Sequence, residues 1–186
     1  MSKIIDFEWY NDNGMSLSIE EIGNLDINSY LRESSTHIDG FTYNSHENTH
    51  PTVGVRWKYG NKIIDINNVL LCSKPIPSME KVIVVMNDEY HSSTIYNADG
   101  DIHLKLDYLC RVAPYVGKFH DSPTFLNNII WINKEIADYW NINIQTIQDG
   151  FSVIVELNGI CDDCYEYRLF NPETGTLGMC LYYGCH

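Results

Sequence analysis

Residues 151–186 read FSVIVELNGICDDCYEYRLFNPETGTLGMCLYYGCH. Phe151, Val153, Val155 and Leu157 recur with period two while Ser152 and Glu156 fall on the other parity, so this segment is a strand with one buried and one solvated face. Asn158-Gly159 follows, a pair suited to positive φ. Tyr165–Phe170 and Leu177–Tyr183 are two further runs rich in aromatics and Leu. Between them Asn171-Pro172-Glu173-Thr174-Gly175 supplies a turn starter, a fixed φ and a glycine exit, which makes the pair a β-hairpin. With the turn centred on Glu173 and Thr174, Cys164 falls opposite Tyr183 and Cys180 near Tyr167. Cys161, Cys164, Cys185 and His186 then gather at one end.

The same signals recur upstream. Ile4–Tyr10 is a strand ending in the turn Asn11-Asp12-Asn13-Gly14, and Ser18-Ile19-Glu20-Glu21 fits a capping box that opens a short helix before Gly23. A second short helix is expected at Ile27–Arg32, then a polar loop from Ser34 to Pro51 with a brief strand at Phe41–Tyr43. Val53–Tyr59 and Lys62–Ile66 form a hairpin around Gly60-Asn61. Asn67–Cys72 extends the sheet until Pro75 and Pro77 interrupt it, because proline donates nothing to a central ladder. Val82–Asn87 is apolar without alternation, as expected of a central strand covered on both faces. Ser93–Tyr96 and Ile102–Tyr108 flank the turn Asn97–Asp101 as another hairpin. Phe125–Trp140 carries both helical spacing and a contiguous apolar block at Ile129–Ile132, and reads as a strand followed by a short helical turn. The expected fold is mainly β to α+β, an antiparallel sheet built from successive hairpins with short marginal helices.

At 186 residues the chain reads as a single domain, 1–186, able to bury a core without staples. No stretch approaches the roughly 20 apolar residues of a membrane helix. The N-terminus MSKIIDFEWYND has acidic residues where a signal peptide is basic and then apolar, so a cytoplasmic location is expected. Twelve Lys and Arg against 25 Asp and Glu give a net charge of −13, which repels phosphate backbones and anionic membranes and attracts cationic partners.

Three motifs could carry chemistry. His46-Glu47-Asn48-Thr49-His50 matches the H-E-x-x-H pattern of zinc hydrolases, but its polar flanks and Pro51 argue against the helix that sets the ligand spacing. Cys161-x-x-Cys164 with Cys180 and Cys185 resembles a zinc ligand set, the basis of an alternative reading as a zinc-stabilised adaptor. The favoured reading is reduced structural thiols, given the expected cytoplasmic setting; a disulfide or redox pair is a further alternative, and Asp162 and Asp163 oppose the thiolate that redox activity needs. No phosphate-binding Gly-rich loop, Gly-x-Ser-x-Gly or deaminase signature occurs. His91, His103 and His120 read as surface residues, and Trp9, Trp57, Trp131 and Trp140 as core anchors. No catalytic residue is assigned and no cofactor is expected, zinc being the alternative.

Tyr96-Asn97-Ala98-Asp99-Gly100 before an alternating strand, and Tyr167-Arg168-Leu169-Phe170-Asn171-Pro172-Glu173-Thr174-Gly175, resemble segments of bacterial immunity-type proteins of polymorphic-toxin or contact-dependent inhibition systems. The resemblance implies binding without catalysis: an acidic surface that neutralises a basic toxin domain. Two acidic clusters are candidates for that surface. Asp88, Glu89, Asp99 and Asp101 sit in turns flanking Ser93–Tyr96. Asp162, Asp163 and Glu166 lie beside Tyr165, Tyr167, Tyr182 and Tyr183, where aromatic area meets negative charge as at interface anchors.

Overall fold

The computed structural model describes residues 3–22, 41, 53–88, 91–106, 109–110, 123–159 and 164–185. In chain order these form β1 (Ile5–Tyr10), β2 (Ser16–Ser18), α1 (Ile19–Ile22), β3 (Val53–Tyr59), β4 (Lys62–Val69), β5 (Lys74–Pro75), β6 (Lys81–Val85), β7 (Ser93–Asn97) and β8 (Ile102–Leu106). There follow β9 (Leu109–Cys110), β10 (Pro123–Trp131), α2 (Lys134–Tyr139), α3 (Ile144–Gln148), β11 (Val153–Gly159), β12 (Cys164–Asn171) and β13 (Thr176–Cys185). The fold is mainly β, and every pairing is antiparallel. The strands make three sheets rather than one: β2-β1-β3-β4, β5-β6-β7-β8 and β13-β12-β11-β10-β9.

Strand β6 explains the layering. All five of its residues are buried, because alternate side chains enter different cores. Val82 and Val84 join Trp9, Val55 and Trp57 of the first sheet, whereas Ile83 and Val85 join Leu126, Ile129, Val155 and Phe170 of the third. The sheet containing β6 is thus the middle layer. Three indoles tie the layers together by donating to carbonyls of the middle segments: Trp9 to Ser73 at 2.6 Å, Trp57 to Ala98 at 2.7 Å and Trp131 to Pro75 at 2.7 Å. Each satisfies its one polar atom while burying ring area.

The hairpins and the central strand occur where the pattern places them, and residues 123–139 are a strand followed by a short helix. Lys74-Pro75 does more than interrupt: it pairs with β6 at the sheet edge, a position where proline's missing donor costs no ladder bond. The expected outer solvation of β11 is corrected too. Ile154 is fully buried under α2 and α3, packed with Leu169, Ile136 and Trp140. The helices start on Asn133, which accepts from Ile136 N at 2.9 Å, and Asn143, which accepts from Gln145 N at 2.8 Å. Trp9 and Trp57 are core anchors, but Trp131 and Trp140 are only half-buried. His91 and His103 are half-buried rather than exposed; the His91 ring lies 4.7 Å from that of Phe125, and His103 Nε2 lies 2.9 Å from the Glu173 carbonyl. Phe41 is in a turn and fully buried, while the rest of residues 42–52, the helix expected at 27–32 and His120 lie outside the described residues.

Candidate partner-binding surface

The C-terminal hairpin closes on Asn171, whose Oδ1 accepts from Glu173 N at 2.9 Å, and on Gly175 at φ +70°. From that turn the register starts as expected, with Asn171 opposite Thr176 and Phe170 opposite Leu177. Two irregularities then add two residues to β13, so that Arg168 faces Cys180, Tyr167 faces Tyr182 and Cys164 faces Cys185 instead of Tyr183. Arg168 secures the first bulge by donating to the Gly178 carbonyl, from Nε at 3.0 Å and from Nη2.

This register divides the predicted cluster between two faces. Tyr165, Tyr167 and Tyr182 stand on the outer face, with ring centroids 6.0 to 6.4 Å apart. Gly184 makes room for the Tyr165 ring, because a Cβ there would come within 2.7 Å of its Cζ. Tyr183 pairs with Glu166 on the inner face. Glu166 is the main correction: it is fully buried, with Arg168 Nη1 3.6 Å from its Oε1. Paired with Leu157 of β11, it shares the parity of Phe170, so it points into the layered interior and offers no carboxylate to solvent. Asp162 and Asp163 lie outside the described residues.

One cysteine, Cys164, is corrected as well, while Cys180 is reduced as expected. Cys164 is disulfide-bonded, so it is neither a reduced thiol nor a thiolate available to zinc. Cys180 is a free thiol 3.3 Å from the Tyr182 carbonyl, and burial followed by the charge of Glu166 holds its pKa above the ordinary value. Among the described residues no three His, Cys, Asp or Glu side chains converge on a common point. Cys161, His46, Glu47 and His50 lie outside them, and of Cys185 only the backbone is described.

Two of the turn carboxylates, Asp88 and Asp99, serve local structure. Asp88 is exposed and accepts from Ser92 N at 2.9 Å, Asp99 Oδ1 accepts from Asp101 N at 3.1 Å, and Asp101 is exposed. Glu89 lies outside the described residues.

Sequence reasoning missed two features. On the outer face of the first sheet the Tyr10 ring lies over Gly54, with the Arg56 guanidinium 5.1 Å from its centroid and its hydroxyl between Asp65 and Asn67. Burial first, then the hydrogen bond to Asp65, pushes the Tyr10 pKa up to about 12. Glu8 pairs with Arg56, and Asp6 with Lys58 at 2.6 Å, so this face already matches its charges across strands. The signal was a glycine inside a strand opposite an aromatic. The second feature is Glu156 on β11, a half-buried carboxylate that accepts from Asn127 Nδ2 at 3.0 Å and from the Tyr167 hydroxyl at 2.9 Å.

These features define an antiparallel, layered β protein with an aromatic outer face on its third sheet. No known family model matches the chain, and a search of curated proteins found no match. Among solved structures the fold is similar to a chain from the structure of Tne2 in complex with Tni2, at a TM-score of 0.58 and 11% identity, covering 95% of this chain and 97% of that one. At that identity the likeness is one of fold. Among the described residues no helix is long and apolar enough to cross a membrane.

Proposed function

We propose that this chain is a single-domain, immunity-type inhibitor that binds and neutralises a cognate basic toxin domain. The carrying observation is the near full-length likeness to a chain from a complex of two proteins, Tne2 with Tni2. A net charge of −13 supports a basic partner, because it raises the encounter rate with cationic surfaces and opposes nucleic acid. Two cores, each shared by the middle sheet with one outer layer, support one domain. A cytoplasmic location belongs to the same proposal; the Cys164 disulfide weighs against it, because such bonds persist mainly in oxidising compartments.

The test is capture with the tagged full chain from extract of the native host at low and high salt. A basic protein should be retained at about 0.1 M salt and lost towards about 1 M, as the Debye length falls from about 10 to about 3 Å. The captured protein, purified alone, should be inhibited by stoichiometric addition of this chain. Recovery of nucleic acid or small molecules only, or a captured protein whose activity is unaffected, rejects the proposal.

A further inference from the structure

We infer that the outer face of the third sheet is a receptor for an arginine or lysine side chain of the partner, seated against Tyr165, Tyr167 and Tyr182 with Glu156 as its counter-charge. This deepens the proposed function and rests on it for the identity of the partner.

Five rings form a continuous stripe from α2 across β12 to β13. Tyr139 meets Trp140 at 5.2 Å, Trp140 meets Tyr167 at 5.8 Å, and Tyr165 and Tyr182 close the far end at 6.0 Å. Its ends are open, with Tyr139 79% and Tyr182 48% exposed. Aromatic rings of this kind are the usual anchors of an interface. Burial among the rings, the contact with Tyr182 and the charge of Glu156 all raise the Tyr165 pKa.

Glu156 supplies the second, independent observation. Two other carboxylates with restricted exposure have cations: Glu8 has Arg56 and Glu166 has Arg168. Glu156 is half-buried on a central strand, yet among the described residues it meets only the neutral donors of Asn127 and Tyr167. A partly desolvated anion beside three phenol rings is complementary to a guanidinium or ammonium group, which the ring faces and the carboxylate attract together. A nucleobase would gain from the rings, but its phosphate would be repelled by Glu156 and by the net charge of −13. A second copy of this chain would bring another highly acidic surface to the same place.

The test is calorimetric titration of the full chain at low salt with an end-blocked octa-arginine peptide. Glu156→Gln keeps the shape and loses the charge, and Tyr182→Ala removes an exposed ring; each should weaken binding about ten-fold, as expected for an anchor contact. Asp12→Asn/Glu20→Gln, exposed positions in and after the first turn of the first sheet, removes more charge and should change binding little. Tyr139→Ala serves in place of Tyr182→Ala if the latter melts early. Wild-type affinity in both Glu156→Gln and the ring variant overturns the inference, as does an equal loss in the double variant, which would mark diffuse charge attraction. Sedimentation that shows a wild-type dimer dissolved by Tyr182→Ala assigns the stripe to self-association and also overturns it. The two proposals fail separately. Discriminating peptide binding with no captured protein leaves the receptor and removes the inhibitor reading; a captured toxin bound equally well by Glu156→Gln and Tyr182→Ala does the reverse.

Discussion

Replacing Glu166 separates a buried ion pair from a surface contact. Glu166 is fully buried and Arg168 is 9% exposed, with Nη1 and Oε1 3.6 Å apart. At that separation and an effective dielectric of about 20, the gross attraction is about 4 to 5 kcal/mol. Removing one member of a buried pair typically costs about 3 to 5 kcal/mol, because the other charge stays desolvated. Arg168 keeps its hydrogen bonds to the Gly178 carbonyl, so Glu166→Gln should fall at the lower end, about 3 kcal/mol. Glu166→Lys turns attraction into repulsion and should cost about 5 kcal/mol or more, comparable with the whole stability of many domains. Glu166→Met/Arg168→Met, which removes both charges, should cost less than Glu166→Lys, about 1 to 3 kcal/mol from the hydrogen bonds lost at the Gly178 carbonyl. The assay is urea unfolding followed by tryptophan fluorescence. With a slope of roughly 2 kcal/mol/M, Glu166→Gln should lower the midpoint by about 1.5 M at unchanged slope. A Glu166→Gln protein within about 0.5 kcal/mol of wild type would behave as a surface substitution and would refute this account of the hairpin's inner face.

Three further outcomes are expected. The neutral Tyr10 hydroxyl, with its pKa raised from 10.0 to about 12, contributes stability that is complete below pH 10 and is lost as pH rises through 12. Spectrophotometric titrations of wild type and Tyr10→Phe should therefore differ by one tyrosinate ionising near pH 12, and a difference with its midpoint near pH 10 refutes the assignment. Cys164 should resist iodoacetamide in unfolded, unreduced protein and react after dithiothreitol, with reduction costing about 2 to 4 kcal/mol of stability; peptide mass mapping reads the first and urea unfolding the second. Ile83→Ala and Val84→Ala, adjacent on β6 but in different cores, should each destabilise, the first by about 2 to 5 kcal/mol. If either is near neutral in urea unfolding, the strand is covered on one face only.

Hairpins were legible in the sequence because their information is local. A period of two, a Gly-Asn or Asn-Pro-x-x-Gly turn and the apolar run at Val82–Val85 each act within a few residues, so strands β3, β4, β6, β7, β8, β12 and β13 follow from adjacent side chains. The assignment of those hairpins to three sheets was not local. It depends on which apolar faces meet, and Val84 and Ile83 carry no mark of their different partners. The same limit governed the candidate site. Leu169 and Phe170 are both apolar, so β12 alone leaves its inner face undecided; pairing Phe170 with Val153 of β11 selects it and buries Glu166. Two bulges in β13 then move Tyr182 from opposite Tyr165 to opposite Tyr167, and Tyr183 from opposite Cys164 to opposite Glu166, each on an unchanged face. Bulges arise from the fit of one sheet upon another, a balance of packing and hydrogen bonding that only the assembled layers decide.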